Sequence, residues 1–562
     1  MWAFVLLGAT AGLCAMPAGA EPPAESPRGS GTRTGTQLAS MTALPTPFAP
    51  VEAMAAGPGA IAVAPGTPIV SVRVVRHDIF DLDDPATSAT PYRWVDALHA
   101  LTRESFIRSL LLFEVGGVVD PLRLAESELI LRGTGFLNPV TITAHPAPGG
   151  AEIVVETRDQ WTINVDARYD RSGDSKRAGG SISDDNVLGM GKGVEFGMES
   201  DAERSSTMFG YKDLAVMGSR WQVDLKYTSS SDGSESFLRA RYPFFSLTTP
   251  FAGGVEWMQN ASNEHLWSDS EQVVTGAVDR RDVEAWFGLR LPGSGIRTNR
   301  LIVGVFAERA LFGEWLRDDG SLYPRPADRD LIGPEIGWEH RTFNWKVVQG
   351  FRSWQRQEDL ALGPNWRLTT GVSSPAFGGD RTRVRYHAAF DVGRWRERTY
   401  MWARSDLIGR LEKGNVANGV SHLELGGAMT GNAGFRLRAV ADLGHQLDLD
   451  RQLTLGADTG LRGYDPDSFD GTSRLVTNIE WRHRLTGEFL HVAVLGVTLF
   501  GDAGRTWGER VGPSTEGWRS DVGAGLLLEI TRASVVRILR LEVAVPARGG
   551  EPVIQITSQS LF

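Results

Sequence analysis

The sequence predicts a mainly β protein, in which a sixteen-stranded antiparallel barrel that crosses a membrane follows one small α+β domain. From about residue 161 onward, apolar and polar residues alternate with a period of two, as in residues 384–392, 437–443 and 539–545. Such alternation indicates strands with two unlike faces. Aromatic residues gather near predicted strand ends, as an interfacial girdle requires; they include Trp354, Trp366, Trp395, Tyr400 and Trp402.

The alternation alone fits two architectures. In a soluble β protein the apolar face forms the core, whereas in a membrane barrel it meets lipid and the charged face lines the lumen. The long polar segments at residues 260–271 and 317–330 are predicted as loops, and their unequal lengths favour the membrane barrel. After the N-terminus no segment has the run of apolar residues that a membrane helix needs. The soluble alternative stays open at this point.

Composition excludes several functions. The formal net charge is -10, so the chain lacks the basic surface that a nucleic-acid partner requires. The single cysteine, Cys14, lies in the predicted leader, which leaves no thiol for disulfides or metal sites in a mature chain. The ten histidines show no zinc-binding spacing. We therefore expect no cofactor, no metal and no enzymatic activity, although a barrel enzyme without a local motif stays an alternative.

The N-terminal part divides into three segments. Residues 1–20 are predicted to be a signal peptide, because an apolar run is followed by Ala18-Gly19-Ala20, small residues that signal peptidase accepts. Residues 21–66 are rich in Pro, Ala, Gly, Ser and Thr, which predicts a disordered linker. Residues 67–160 are predicted to form the α+β domain, in the order strand, helices, strand, strand.

The segment from Gly117 to Val140 carries a glycine turn, a helix that ends in Leu-Arg, then Gly-Phe and a strand. Asp120-Pro121 marks the start of this helix. The pattern resembles a POTRA domain, the periplasmic module of outer-membrane assembly proteins. The resemblance implies that an edge strand of this domain accepts an extended client segment by β-augmentation.

The motif Leu461-Arg462-Gly463-Tyr464 lies between about eleven predicted strands and five further ones. It resembles the motif in the sixth extracellular loop of the BamA/TamA outer-membrane assembly superfamily. The resemblance implies a loop that folds into the lumen, where Arg462 pairs with an acidic residue. Asp502, in a segment that resembles the family's Phe-x-Asp-x-Gly strand, is the first candidate partner, and Glu480 is the second. Both share a predicted strand face with polar residues.

The chain ends on Phe562, which resembles the C-terminal assembly signal of outer-membrane barrels. The family resemblance implies a weak seam between the first and last strands and a role in inserting or translocating proteins at the outer membrane. It also implies an outer-membrane location with the N-terminal domain in the periplasm. The expected partners are membrane lipid, client proteins and periplasmic or lipoprotein partners. A passive porin or solute channel is the alternative function.

Overall fold

The structure is a computed structural model that describes residues 62–172, 175–200, 204–293, 295–508, 511, 517–534, 537–558 and 561–562. The predicted signal peptide and most of the predicted linker lie outside the described residues. The described chain forms a small N-terminal domain and a large closed barrel of antiparallel strands.

The N-terminal domain has three helices and a three-stranded sheet, in which the first strand of the chain runs parallel to the central third strand. The second and third helices pack on this sheet, whereas Val95 of the first helix lies in a cluster with Val492 and Ala493 of the barrel. Asp120 caps the third helix by accepting a hydrogen bond from the backbone N–H of Leu122, as the Asp-Pro pair predicts. Apolar side chains of the second and third helices and of the sheet form one buried core. The elements are β1 (Ile69–His77), α1 (Thr90–Leu98), α2 (Glu104–Leu110), α3 (Pro121–Arg132), β2 (Leu137–Ala147) and β3 (Gly150–Asp159).

The N-terminal domain is docked firmly on one end of the barrel. Leu214 and Ala215, in a barrel turn, belong to the buried core of the domain. Glu126 of α3 is fully buried and accepts a hydrogen bond of 2.8 Å from the backbone N–H of Leu247, in another barrel turn. Burial raises the pKa of Glu126 to about 7, since the charged carboxylate loses its hydration.

Because of this raised pKa, the free energy of unfolding depends on pH. The folded state binds the Glu126 proton more tightly than the unfolded state, so the free energy of unfolding falls as pH rises from about 4.5 through 7. Glu126→Gln keeps an acceptor for the Leu247 N–H and should abolish this decline, leaving the variant roughly 2–3 kcal/mol more stable than wild type at pH 8. Thermal unfolding in detergent between pH 5 and pH 8 measures the difference. An unchanged pH profile in the variant would contradict the assignment.

Twenty strands close the barrel in the described residues, with β27 returning to β4. Two segments between barrel strands leave the wall and carry short hairpins, β14–β15 and β21–β22. The first half of the wall comprises β4 (Ile163–Ser172), β5 (Ser175–Asp184), β6 (Lys192–Ser200), β7 (Ser205–Asp213), β8 (Gln222–Ser230), β9 (Gly233–Tyr242), β10 (Phe251–Ser268), β11 (Glu271–Arg290), β12 (Arg297–Arg317) and β13 (Arg329–Thr342).

The second half begins after the first hairpin, β14 (Trp345–Val348) and β15 (Glu358–Ala361), with β16 (Gly363–Ser373), β17 (Arg383–Arg396), β18 (Thr399–Glu412), β19 (Asn415–Met429) and β20 (Ala433–His445). The second hairpin, β21 (Leu453–Leu455) and β22 (Phe469–Gly471), precedes β23 (Ser473–Arg484), β24 (Ala493–Trp507), β25 (Arg519–Ile530), β26 (Arg537–Pro546) and β27 (Val553–Thr557).

The predicted count of sixteen strands is wrong. Five wall strands follow Arg462, as predicted, but fifteen precede it in the described chain, where we expected about eleven. Polar residues 260–271, predicted as a loop, instead extend the hairpin of β10 and β11. The Glu264 side chain of this extension is buried and pairs with Arg280, which also binds Asp450 inside the barrel, so its polarity reflects a lumen face rather than a loop.

The two faces of the wall differ as a membrane barrel requires. Large apolar side chains are exposed on the outer face, including Ile336, Trp338, Leu368, Leu425, Leu437, Ile479, Leu499, Leu526 and Val543. Their neighbours along the strands point inward and are charged or polar, including Glu335, Arg367, Glu424, Arg436, Glu480, Thr498 and Glu542. A soluble protein would bury the apolar face, so this arrangement decides between the two architectures that the sequence left open.

None of the helices in the described residues is long and apolar enough to span a lipid bilayer.

Candidate functional site: an arginine-anchored loop inside the barrel

The segment between β20 and β23, residues 446–472, folds into the barrel and is called the anchored loop here. It contains the hairpin β21–β22 and a single 3₁₀ turn at Ala457–Thr459. Leu461 follows this turn and is completely buried, in a cluster with Val440, Leu455, Phe469 and Val476. The predicted motif therefore lies in the interior of the barrel.

Arg462 makes the contacts that fix this loop. Its Nε donates to Asp502 Oδ2 at 2.8 Å, and its Nη2 donates to Asp502 Oδ1 at 2.9 Å. The third nitrogen, Nη1, donates to Glu480 Oε2 at 3.0 Å. Two parallel hydrogen bonds to one carboxylate fix the orientation of the guanidinium as well as its position. The structure thus brings Arg462 together with both acidic residues that the sequence nominates.

The anchor belongs to a larger buried ion cluster. Arg540 Nη2 donates to Glu480 Oε2 and to Glu542 Oε1, each at 2.6 Å. Arg482 pairs with the other oxygen of Glu480. Glu542 also lies 3.6 Å from Arg462 Nη1. The residues come from three wall strands and the loop, so the cluster ties β23, β24 and β26 to the loop through charge-assisted bonds.

A cation–π contact and three further hydrogen bonds complete the anchor. The guanidinium carbon of Arg462 lies 3.5 Å from the centroid of the Phe500 ring, in a cation–π arrangement. Asn478 bridges the loop and the wall, because its side-chain amide donates to Gly460 O and to Asp502 Oδ1, each at 2.7 Å. The Tyr464 hydroxyl donates to Ser520 O at 3.2 Å. Sequence reasoning missed Arg540 and Glu542, which no local motif marks.

Gly463 is required by a close approach. A Cβ at this position would lie 2.5 Å from the Cβ of Asp521, on the neighbouring wall strand. The backbone φ of Gly463 is not positive, so the demand is for space rather than for a left-handed conformation.

Gly463→Ala should therefore displace the anchored loop and destabilise the barrel by roughly 1–3 kcal/mol, the usual cost of overpacking. Gly487→Ala is a matched control, since nothing lies within 4 Å of its added Cβ. The temperature at which the purified barrel loses its compact form on a gel measures the effect. Equal temperatures for the two variants would show that the loop does not depend on this contact.

The anchored loop also reaches the opposite wall. Asp450 accepts from Arg280 of β11 at 2.6 Å and from Arg329 of β13 at 2.9 Å. Gln452 exchanges two hydrogen bonds with the backbone of Trp267, on β10. Since Arg462 is bound to β23 and β24, the loop spans the lumen and obstructs the end of the barrel far from the N-terminal domain.

A second segment, residues 343–362, crosses the other end of the barrel and is called the strap here. Its Trp354 packs against Val494, Leu527 and Ile538 of the last strands. Glu529 of β25 is buried and accepts from the backbone N–H of Trp354 at 2.8 Å and from the Ser353 hydroxyl. The strap starts between β13 and β16, so it traverses the lumen to reach β25. The predicted place of Trp354, Tyr400 and Trp402 in the aromatic girdle is wrong, because all three rings are buried, the last two against Phe351 of the strap.

The strap also holds the N-terminal domain. Arg132 of α3 binds Asp359 through two bonds of 3.0 and 2.9 Å. Asn138 donates to Gln357 O at 3.0 Å. Phe351 of the strap lies in a buried cluster with Tyr400 and Trp402, and Phe562 packs against this cluster. Sequence reasoning missed the strap, whose partners lie far away in the chain.

The last wall strand stops short of the C-terminal residue. Strand β27 ends at Thr557, and Phe562 packs against the cluster that contains Phe351. The seam between the last and first strands is short, with Gln555 opposite Asp170 and Ile556 opposite Tyr169 in the described residues. By contrast, β4 pairs with β5 along its whole length.

Near the first residues of β4, the turn between β25 and β26 borders this strand in place of β27. Trp161 donates to Arg532 O at 2.6 Å and accepts from the backbone N–H of Ser534 at 2.8 Å. The Asn164 side chain donates to Ser534 Oγ at 3.1 Å. Strand β4 is thus bordered by a few separate bonds rather than by a continuous ladder.

The fold and the site define a membrane β-barrel protein with an inward loop anchored by a buried arginine. No family model and no curated protein matches the chain. Among solved structures it is similar to BamA from Haemophilus ducreyi, with 12% identity, a TM-score of 0.36 and coverage of 87% of this chain and 83% of that one. It is similar to CdiB from Acinetobacter baumannii, with 10% identity, a TM-score of 0.43 and coverage of 87% and 73%. For CdiB from Escherichia coli the values are 13%, 0.41, 87% and 76%.

Proposed function

We propose that this protein assists the insertion or translocation of proteins at the bacterial outer membrane, without enzymatic chemistry. The observation that carries the proposal is the short seam, at which β4 and β27 pair through only two residue pairs in the described chain. Unpaired backbone N–H and C=O groups at a strand edge are a template for an incoming strand. A seam of this kind lets a client strand pair with β4 while it faces lipid.

The N-terminal domain supplies a second edge, and its order of elements supports a POTRA-like role in the periplasm. Strand β2 lies at the edge of the sheet, and its Ala144 O accepts a hydrogen bond of 3.0 Å from the backbone N–H of Ala62. This edge of β2 thus has a carbonyl group that accepts from outside the sheet. A client segment would bind there in the same way, by β-augmentation, before it reaches the seam.

The passive porin is the weaker candidate. A porin needs a water-filled path between the two ends of its barrel. Here the anchored loop spans one end, through Asp450 and Arg462, and the strap spans the other, through Glu529. A channel has no use for two obstructions held by buried charges, whereas an insertion protein must keep the membrane sealed while its seam opens.

A disulfide across the seam tests the proposal. Tyr169→Cys with Ile556→Cys places two thiols on residues that face each other between β4 and β27, and Cys14 is the only native cysteine. The oxidised protein should lose most of its activity and recover it on reduction. The control pair, Ala388→Cys with Leu407→Cys, lies between the continuous strands β17 and β18 and should leave activity unchanged.

The activity is read by quantitative proteomics of the outer membrane after depletion of the native protein, with solute uptake followed in the same cells. Loss of selected barrels or surface proteins supports the proposal and identifies the clients. An unchanged proteome with slower uptake would establish the porin instead.

A further inference from the structure

A cavity of about 490 Å³ lies where the N-terminal domain, the barrel rim and the strap meet. The wall on the domain side is α3, with Leu129 and Ile130. Residues 243–247 of a barrel turn form a second wall, and strap residues close the third side. Its size falls in the range of small-molecule sites, and its lining combines apolar side chains with six arginines and three carboxylates.

Buried polar atoms in the lining have no partner in the described residues. They are Arg300 Nε, Trp345 Nε1 and Glu126 Oε2. The three residues are 5%, 7% and 0% exposed. Buried polar groups are normally satisfied, so a set of three at one cavity indicates a site built for a polar ligand. Two of the atoms are N–H donors, which suit an anionic oxygen.

The net positive charge of the lining also favours an anionic ligand. Arg220 donates only to carbonyl oxygens among its hydrogen bonds in the described residues, to Leu110 O at 3.1 Å and Leu111 O at 2.7 Å. Arg356 likewise donates to Ala533 O at 3.0 Å and Ser534 O at 2.6 Å, and to a third carbonyl. Burial lowers the pKa of both side chains to about 10, so both stay charged at neutral pH without a bonded carboxylate.

One wall of the cavity continues to the outer surface of the barrel. Phe245 lines the cavity beneath Arg220, whose guanidinium carbon lies 4.5 Å from the ring centroid. The same ring contacts Tyr242 at 5.6 Å between centroids, and Tyr242 contacts Trp221 and Phe251. Trp221 and Phe251 are about half exposed on the outer face, where aromatic side chains mark a membrane interface.

We propose that this cavity binds the phosphate group of an amphiphile, held by Arg220, Arg300 and Trp345, and that the phosphate is the headgroup of an anionic phospholipid. The acyl chains then lie over the aromatic residues on the outer face. The phosphate bridges the N-terminal domain and the barrel rim, so bound lipid strengthens their docking. This inference requires the barrel to be in a membrane, but it does not depend on the proposed insertion activity.

Native mass spectrometry of the full-length protein in detergent tests the site, with dimyristoyl phosphatidylglycerol as the probe. Arg220→Gln removes an uncompensated charge, and Leu129→Phe fills the cavity without changing any charge. Each should weaken lipid binding at least tenfold. Arg404→Gln is the control, since Arg404 is largely solvated and distant from this lining, and it should bind like wild type. Resistance to unfolding on a gel verifies that each variant is folded.

Wild-type affinity in both cavity variants would overturn the site. Two competitors decide the source of the phosphate. Glycerol 3-phosphate should displace the lipid only at a concentration far above that of the lipid itself, because it lacks acyl chains. Displacement at equal concentration would overturn the lipid assignment in favour of a soluble phosphate. Displacement by a peptide ending in phenylalanine, with no lipid binding at matched concentration, would overturn it in favour of a protein C-terminus.

Discussion

Arg462→Ala should abolish most client insertion and lower the stability of the barrel by about 3–5 kcal/mol, the cost of removing one partner from a buried ion pair. The substitution leaves Asp502 and Glu480 without their loop cation in the interior of the barrel. Arg462→Lys should restore little, because an ammonium cannot form two parallel bonds to Asp502 and a third to Glu480. Outer-membrane proteomics measures the activity, and unfolding on a gel measures the stability.

Arg404→Ala is a matched control for this experiment. Arg404 also pairs with a glutamate on the barrel wall, Glu424 at 3.2 Å, but its side chain is 58% exposed. Water can replace that contact, so the control should change stability by less than about 1 kcal/mol. Wild-type insertion in both Arg462 variants would remove the functional role of the anchored loop. A fall in stability alone would leave the anchor a structural feature.

Release of the strap together with the anchored loop should turn the barrel into a conducting pore. Glu529→Ala removes the acceptor of three bonds, from the Ser353 hydroxyl and from the backbone N–H groups of Trp354 and Gln355. Buried donors without an acceptor cost about 1–3 kcal/mol each, so the strap should detach from β25. Conductance in planar bilayers should rise several-fold once the variant is combined with Arg462→Ala, which frees the other end.

The single variants separate the two obstructions. Glu529→Ala alone should conduct little, because the anchored loop still spans the far end, and Arg462→Ala alone should conduct little because the strap remains. Glu314→Ala serves as a control, because Glu314 is an exposed carboxylate near the far end of β12. High conductance in either single variant would mean that only one segment seals the barrel. Low conductance in the double variant would contradict both assignments.

The anchor was predictable because its information is local. The four-residue motif marks Arg462. The alternation along the neighbouring strands places its two partners, Asp502 and Glu480, on an inward face. The strand order of the N-terminal domain was visible for the same reason, since its helix cap and turns are short-range signals. Arg540 joins the same cluster but stands on an ordinary alternating strand, so sequence pattern gives it no distinction.

The strap and the strand count were not predictable, for a common reason. Inside this barrel, polar residues face other segments of the chain rather than water, so polarity no longer marks a loop. Glu264 therefore lies on a strand that was expected to have ended. Trp354 was expected at the lipid interface, yet its partner Glu529 is 175 residues away in the chain. Such a pairing leaves no periodic trace in either segment.

The two inward segments fasten to the same part of the wall. The anchored loop is bound to Glu480 and Asp502, and the strap is bound to Glu529. These residues lie on β23, β24 and β25, close to one border of the seam. Across the seam, β4 to β9 are strands of only 9 or 10 residues. The proposed opening of the seam would therefore bend the short strands β4 to β9, because the two inward segments hold the strands on the other side.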